Sequence, residues 1–157
     1  MDGILADIEK GVTVIIDRYS YSGAVYSAAK ENPNLDLDWA WAPEIGLPQP
    51  DLCFFLSIKP HEAAKRGGFG EERYETQQMQ LRVRRLFTEL FDRTQPSDSR
   101  ICPIDASKLR EEVAADIFQQ VSSLLNGLRK QNRPGTLSRL GPLGPLTKDR
   151  PDPVAFS

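Results

Sequence analysis

Asp17, Arg18 and Tyr19 follow directly on the apolar run Val12, Thr13, Val14, Ile15 and Ile16. A carboxylate and a guanidinium at the end of such a run suit phosphate chemistry. The carboxylate can hold magnesium through water, because magnesium keeps most of its hydration shell. The guanidinium can grip a phosphate with two parallel hydrogen bonds. The same pair would also serve as a structural ion pair closing a strand, and the bare tripeptide divides evenly between the two readings. Ser22, Gly23 and Tyr26, on the helix expected next, shift the balance toward a site. A second segment runs Arg66-Gly67-Gly68-Phe69-Gly70-Glu71-Glu72-Arg73-Tyr74-Glu75. Its glycines make no G-x-G-x-x-G fingerprint, since the third position is Arg73, and alone it reads as a flexible loop. Lys108 follows Asp105-Ala106-Ser107 and by itself is an ordinary first-turn helix residue. No G-x-x-x-x-G-K-S/T phosphate-cradling loop occurs in the 157 residues.

The elements that must position these groups can be read from periodicity. Ile4, Leu5 and Ile8 share a helix face, with Gly11 as the stop. Residues 12–16 are β-branched and nearly continuous, which predicts a strand buried on both faces. Residues 52–58 repeat that pattern. Residues 101–104 form a third strand candidate, whose Pro103 suits a sheet edge. A short helix is expected over residues 22–30. Met79, Val83, Leu86, Phe87 and Leu90 mark a long amphipathic helix, and Val113, Ile117, Val121, Leu124 and Leu128 another, ended near Asn126-Gly127. Trp39 and Trp41 read as packing anchors of a surface helix. The order strand, helix, strand, helices, strand, helix predicts an α/β fold with a parallel sheet in three layers. A domain over residues 1–128 is expected. Residues 129–157, punctuated by Pro and Gly without apolar periodicity, read as a disordered tail.

Composition narrows the function classes. A net charge of -2, from 20 basic and 22 acidic residues, gives no global attraction to nucleic acid or anionic membrane. Anion binding must then be local. The apolar runs are far short of the ~20 residues of a membrane helix. Cys53 and Cys102 read as reduced structural thiols, and the single histidine, His61, lacks the spacing of a zinc site. A cytoplasmic or nuclear protein is expected, with neither nucleic acid nor membrane as partner.

Taken together, these segments resemble the thymidylate kinase family. Residues 17–32 are similar to its acceptor-nucleotide segment, and Gly46-Leu47-Pro48-Gln49-Pro50-Asp51-Leu52 to the lead into its next strand. Residues 64–75 resemble its lid over the ATP phosphates, and Asp105-Ala106-Ser107-Lys108 the segment lining adenine. The match is collinear over roughly residues 3–128. The resemblance implies a P-loop nucleoside monophosphate kinase fold and transfer from ATP, with Mg2+, to dTMP. It implies that Arg18 binds the acceptor 5′-phosphate, with Asp17 near the phosphoryl path and the magnesium, which it would hold through water. Ser22 and Gly23 would border the thymine pocket and Tyr26 the deoxyribose. Arg66 and Arg73 would approach ATP from the lid, Glu72 and Tyr74, with Glu75, would order the lid or close over the acceptor, and Lys108 would sit by adenine. A homodimer is a further expectation.

The sequence departs from the family's pattern at its start. The first two strands, the phosphate loop with its lysine, and the helix that reads the base have no counterpart. The first strand would lie centrally, between residues 12–16 and 52–58, so the sheet is expected either to collapse or to keep a gap. Phosphoryl transfer depends on positioning and charge neutralisation around the moving group. A phosphate loop supplies much of both, so the chain alone is expected to be a poor kinase. The alternative is a noncatalytic nucleotide-binding or dimer-interfering fragment.

Overall fold

The computed structural model describes residues 1–30, 32, 34–63, 77–94, 101–131 and 137–146. Helix α1, Asp2–Glu9, ends where the sequence places its stop. Gly11 takes φ +78°. The Gly11 N–H donates to the Ile8 carbonyl and the Val12 N–H to the Asp7 carbonyl, both at 2.9 Å. This is a Schellman closure, which needs a left-handed residue where glycine carries no Cβ penalty.

Helix α2, Ser20–Ala28, buries Tyr21, Ala24, Val25 and Ala28, a face set by i, i+3, i+4 and i+7 spacing. Helix α3, Leu37–Trp41, is capped by Asp36, whose carboxylate accepts from the Trp39 N–H at 2.8 Å. A 3-10 turn, Ala42–Glu44, with Pro43 at its start, continues it. Strand β1, Cys53–Ser57, the short α4, Pro60–Ala63, and the long α5, Gln77–Arg93, follow. Strand β2, Ile101–Asp105, and α6, Arg110–Gln131, close the series. The Leu109 N–H donates to Glu112 Oε2 at 2.9 Å, the returning half of a capping box.

The α/β class with a parallel sheet holds. β1 and β2 pair in parallel, with Cys53 opposite Ile101 and Ser57 opposite Asp105. Residues 12–16, expected as the first strand of the chain, form no ladder, and the sheet has two strands among the described residues. A strand exists through a neighbour's N–H and C=O groups, and no described strand offers them here. Ile15 is 91% exposed, although its sequence suits a buried strand. Of the outcomes expected for the sheet, collapse of 12–16 onto β1 does not occur.

The core lies between helices. α2 packs on α3 and on α5, and Trp41, Leu90 and Val25 are its largest fully buried side chains. Phe55 reaches into this cluster from β1 and meets the Phe87 and Phe91 rings at centroid distances of 4.6 and 5.2 Å. Trp39, read from sequence as a second anchor, instead stands on the solvent side of α3. α6 lies against β2, runs through Gly127 to Gln131, and buries none of its described residues fully.

The described part of the tail differs from the disordered reading. Residues 137–146 form an extended strap. Leu140 enters the main core, and Leu143 packs against it. Pro48 and Arg139 form an antiparallel bridge. The Gly46 N–H donates to the Leu140 carbonyl at 2.8 Å and the Leu140 N–H to the Leu47 carbonyl at 2.9 Å. The Trp41 Nε1–H donates to the Gly141 carbonyl at 2.9 Å. Arg93 secures the strap's end, with its Nε–H donating to the Gly144 carbonyl at 2.9 Å while the Gly144 N–H donates back to the Arg93 carbonyl at 2.8 Å. Its guanidinium also pairs with Asp38 and, at 3.2 Å, with Glu89. A Cβ on Gly144 would come within 3.3 Å of the Arg93 carbonyl oxygen, so this approach favours glycine. The strap's leucines, at 137, 140, 143 and 146, recur every third residue, which is neither the period of a strand nor that of an amphipathic helix, and the Pro and Gly between them hid the strap.

Leu140→Ala is expected to lower the unfolding free energy in urea by about 2–4 kcal/mol, the cost of a buried leucine and its cavity. A loss below ~0.5 kcal/mol, the size of a surface effect, would mean that the strap is not part of the core. Burial, with the neighbouring Cys102, pushes the Cys53 thiol up to about 11. Since the thiolate is the nucleophile, iodoacetamide at pH 8 should modify native Cys53 far more slowly than the urea-unfolded residue, as read by peptide mass spectrometry. Equal rates would contradict the burial.

Candidate functional site

Arg18 has φ +64°, the one non-glycine residue in the left-handed region among those described. That conformation costs an L-residue roughly 1–2 kcal/mol, and such strain gathers at functional sites. Here it lies at the turn between residues 12–16 and α2. The Arg18 guanidinium carbon lies 5.6 Å from the centre of the Tyr26 ring, within cation–π range. Ser22 and Tyr26 are four residues apart on α2, and Gly23 and Tyr26 three, so one helix face presents all three.

These side chains line a cavity of about 360 Å³, together with Tyr19, Ser20 and Glu44. Four residues singled out from sequence therefore meet in one place: Arg18, Ser22, Gly23 and Tyr26. Tyr19, Ser20 and Glu44 were missed. Glu44 sits on the 3-10 turn, two residues before the Gly46 segment noted in the sequence, and nothing in its local pattern marks it. A Cβ on Gly23 would lie 3.8 Å from Glu44 Oε1, which places the carboxylate beside this turn of α2. The Tyr19 hydroxyl donates to the Pro48 carbonyl at 3.0 Å. Burial, and then the negative charge of Glu44, push that phenol up, so it remains a neutral donor near neutral pH.

Other candidates lie elsewhere. Asp17 is exposed beside Arg18 and is not among the cavity-lining residues. No group of three metal-ligating side chains occurs among the described residues. Lys108 stands after β2, and its ammonium pairs with Asp116 at 2.7 Å. Asp105 accepts from the Ser107 hydroxyl at 2.6 Å and from its N–H at 2.9 Å. Those bonds hold the Asp105 carboxyl below the usual carboxylate range. Arg66, Glu72, Arg73, Tyr74 and Glu75 lie outside the described residues.

The cavity can do two things chemically. Among the described residues Arg18 has no carboxylate partner, so its charge is available to an anion. The Tyr26 ring and Gly23 give a flat, narrow wall beside it. Gly23 lies within α2 without a left-handed φ, and a methyl group there would make only an ordinary van der Waals contact, 3.8 Å from Glu44 Oε1. Gly23→Ala is therefore expected to raise stability by about 0.5–1 kcal/mol through helix propensity. Thermal unfolding checks this, and a lowered Tm would show that the methyl does not fit.

A family profile described as thymidylate kinase matches residues 1–117. The thymidylate kinase of Schizosaccharomyces pombe is 43% identical over 121 residues, covering 77% of this chain and 56% of that protein. The thymidylate kinase of Homo sapiens is 44% identical over 110 residues, covering 70% and 50%. A solved thymidylate kinase from Candida albicans superposes with a TM-score of 0.63 at 34% identity, covering 74% of this chain and 57% of that one. The chain thus spans about half the length of these relatives. With a family profile matched over most of its length and relatives above 40% identity, the chain belongs to the thymidylate kinase family.

Proposed function

We propose that this chain is the acceptor-nucleotide-binding portion of a thymidylate kinase, the enzyme activity that transfers a phosphoryl group from ATP to dTMP. The observation that carries this reading is the single cavity shared by Arg18, Ser22, Gly23 and Tyr26. Arg18 would bind the 5′-phosphate of dTMP, because a fixed guanidinium satisfies a dianion bidentately. Tyr26 would pack beside the deoxyribose, where a 2′-hydroxyl would be crowded. Ser22 and Gly23 would border the base. Holding the acceptor phosphate in one orientation is itself catalytic, since in-line transfer depends on alignment.

The donor side is less complete in these residues. ATP and Mg2+ would supply the phosphoryl group and neutralise its charge. Asp17, exposed and adjacent to Arg18, suits a magnesium ion held mainly by phosphate and water, with one protein carboxylate reached through water. Lys108 fits an ATP role less well, because its ammonium is committed to Asp116. Arg66 and Arg73, with Glu72 and Tyr74, would act from the lid. None of these groups rebuilds the nest of backbone N–H groups that a phosphate loop provides. The chain alone is therefore expected to bind dTMP but to transfer phosphate poorly. A noncatalytic nucleotide-binding or dimer-interfering role is the second reading, favoured by the same contrast between a formed acceptor cavity and an occupied Lys108. No described helix is long and apolar enough to cross a membrane. A cytoplasmic or nuclear location, with homodimerisation, completes the proposal.

The test combines binding with turnover. Calorimetric titration of the 157-residue chain with dTMP should show binding that Arg18→Ala weakens at least about tenfold, the worth of one charge-assisted contact. A coupled assay of dTDP formation should find little turnover by this chain, and recovery when it is extended by the family's phosphate-loop segment. A cradle worth ~5.5 kcal/mol is a factor of about 10⁴ in rate. Unaltered dTMP binding by Arg18→Ala would sink the acceptor assignment. Robust turnover by the unextended chain would sink the claim of poor transfer.

A further inference from the structure

Two opposite charges line one cavity without neutralising each other. Arg18 is the cation and Glu44 the carboxylate among the lining residues. Neither side chain makes an ion pair among the described residues, and Glu44 makes no side-chain hydrogen bond among them. The Glu44 carboxylate thus lines the cavity with no protein donor among the described residues, and a ligand that donates to it there forms a charge-assisted hydrogen bond.

The carboxylate also sits on a braced turn. Pro43 restricts the backbone just before Glu44, and the strap bonds the segment just after it. The Gly46 N–H donates to Leu140, and Arg139 Nη1 donates to the Gly46 carbonyl at 2.7 Å. The Tyr19 hydroxyl fixes Pro48 from the other side. Little ordering entropy then remains to be lost when a ligand meets Glu44.

A pure anion would gain at Arg18 and be repelled by Glu44. A ligand with a phosphate and a separate N–H or O–H would satisfy both. We infer that Glu44 is a specificity-determining residue of this cavity, accepting a hydrogen bond from the base imide N–H or the sugar 3′-hydroxyl of a nucleoside monophosphate held at Arg18. The inference rests on the acceptor-site reading above and adds a recognition element to it.

The test is calorimetric titration of the full 157-residue chain with dTMP and, separately, with inorganic pyrophosphate, each variant first matched to wild type by circular dichroism. Glu44→Ala should weaken dTMP binding about tenfold or more, as expected for a hydrogen bond to a charged group. Its pyrophosphate binding should be unchanged or tighter, because a repulsive charge is gone. Arg18→Ala should weaken both. Glu44→Gln keeps the volume and one acceptor oxygen, and should lose less than Glu44→Ala. The donor is identified with two analogues, N3-methyl-dTMP and 3′-deoxy-dTMP. One of them should bind wild type more weakly than dTMP does, yet bind Glu44→Ala about as well as dTMP does. Wild-type dTMP affinity in Glu44→Ala would overturn the inference and leave the acceptor reading standing. Equal losses of dTMP and pyrophosphate in Glu44→Ala would mark a merely structural role and overturn it too, as would analogues that bind wild type as well as dTMP. A folded wild-type chain that does not bind dTMP would overturn the acceptor reading, and this inference with it.

Discussion

The structure depends on the burial of Trp41. Its indole is 1% exposed, its ring centre lies 5.6 Å from that of Tyr21, and its N–H is satisfied by the Gly141 carbonyl. A buried aromatic of this size removes roughly 150–250 Å² from water, or about 4–6 kcal/mol. That single side chain joins three parts of the chain. It ties α3 to α2 through Tyr21 and α3 to the strap through Gly141, and Tyr21 in turn meets Phe91 of α5 at 6.3 Å. Without the strap's carbonyl the indole N–H would be buried and unpaired, a cost of about 1–3 kcal/mol. Packing and hydrogen bonding therefore depend on each other here, and residues far apart in sequence become one unit.

That unit also holds the site. α2 carries Ser22, Gly23 and Tyr26 on one side and Tyr21, Val25 and Ala28 on the core side. Fixing the core face fixes the cavity face, because a helix rotates as a rigid body. The turn bearing Glu44 starts directly after Trp41, so anchoring the indole limits where the carboxylate can go. Arg18 is held differently. Its left-handed backbone is local strain, offset by the packing of Tyr19 and α2 that follows it. The guanidinium is exposed and charged, and its direction is set by the backbone turn and the Tyr26 ring.

Elsewhere the structure is loosely built. α1 buries no residue, residues 12–16 pair with no strand among the described residues, and Phe118 on α6 is 72% exposed. These segments have the sequences of ordinary sheet-packing elements. Among the described residues the sheet has two strands; α6 lies against β2, and residues 12–16 have no strand beside them, which accounts for their exposure. The helical core around Trp41 does not need the sheet in the same way, since most of its contacts are helix to helix.

The sequence by itself determined the elements whose signal is periodic or local. The long face of α5 was visible in Met79, Val83, Leu86, Phe87 and Leu90, and the stop of α1 in Gly11. The neighbourhood of Arg18, Ser22, Gly23 and Tyr26 was legible because Arg18 lies two residues before α2, whose spacing puts the other three on one face. What depends on distant partners was not legible. β-branched spacing at residues 12–16 states a capacity to pair, but pairing needs another strand's backbone. The strap's leucines recur every third residue, a spacing that signals neither helix nor strand, so Leu140 could be recognised as core only beside Trp41 and Leu47. Glu44 looked like any surface glutamate until α3 and its following turn were folded against α2. In each case the deciding contact spans many residues. Local propensity reports what a segment can do, and tertiary structure alone decides which groups meet, because burial and hydrogen-bond satisfaction are properties of the assembled surface.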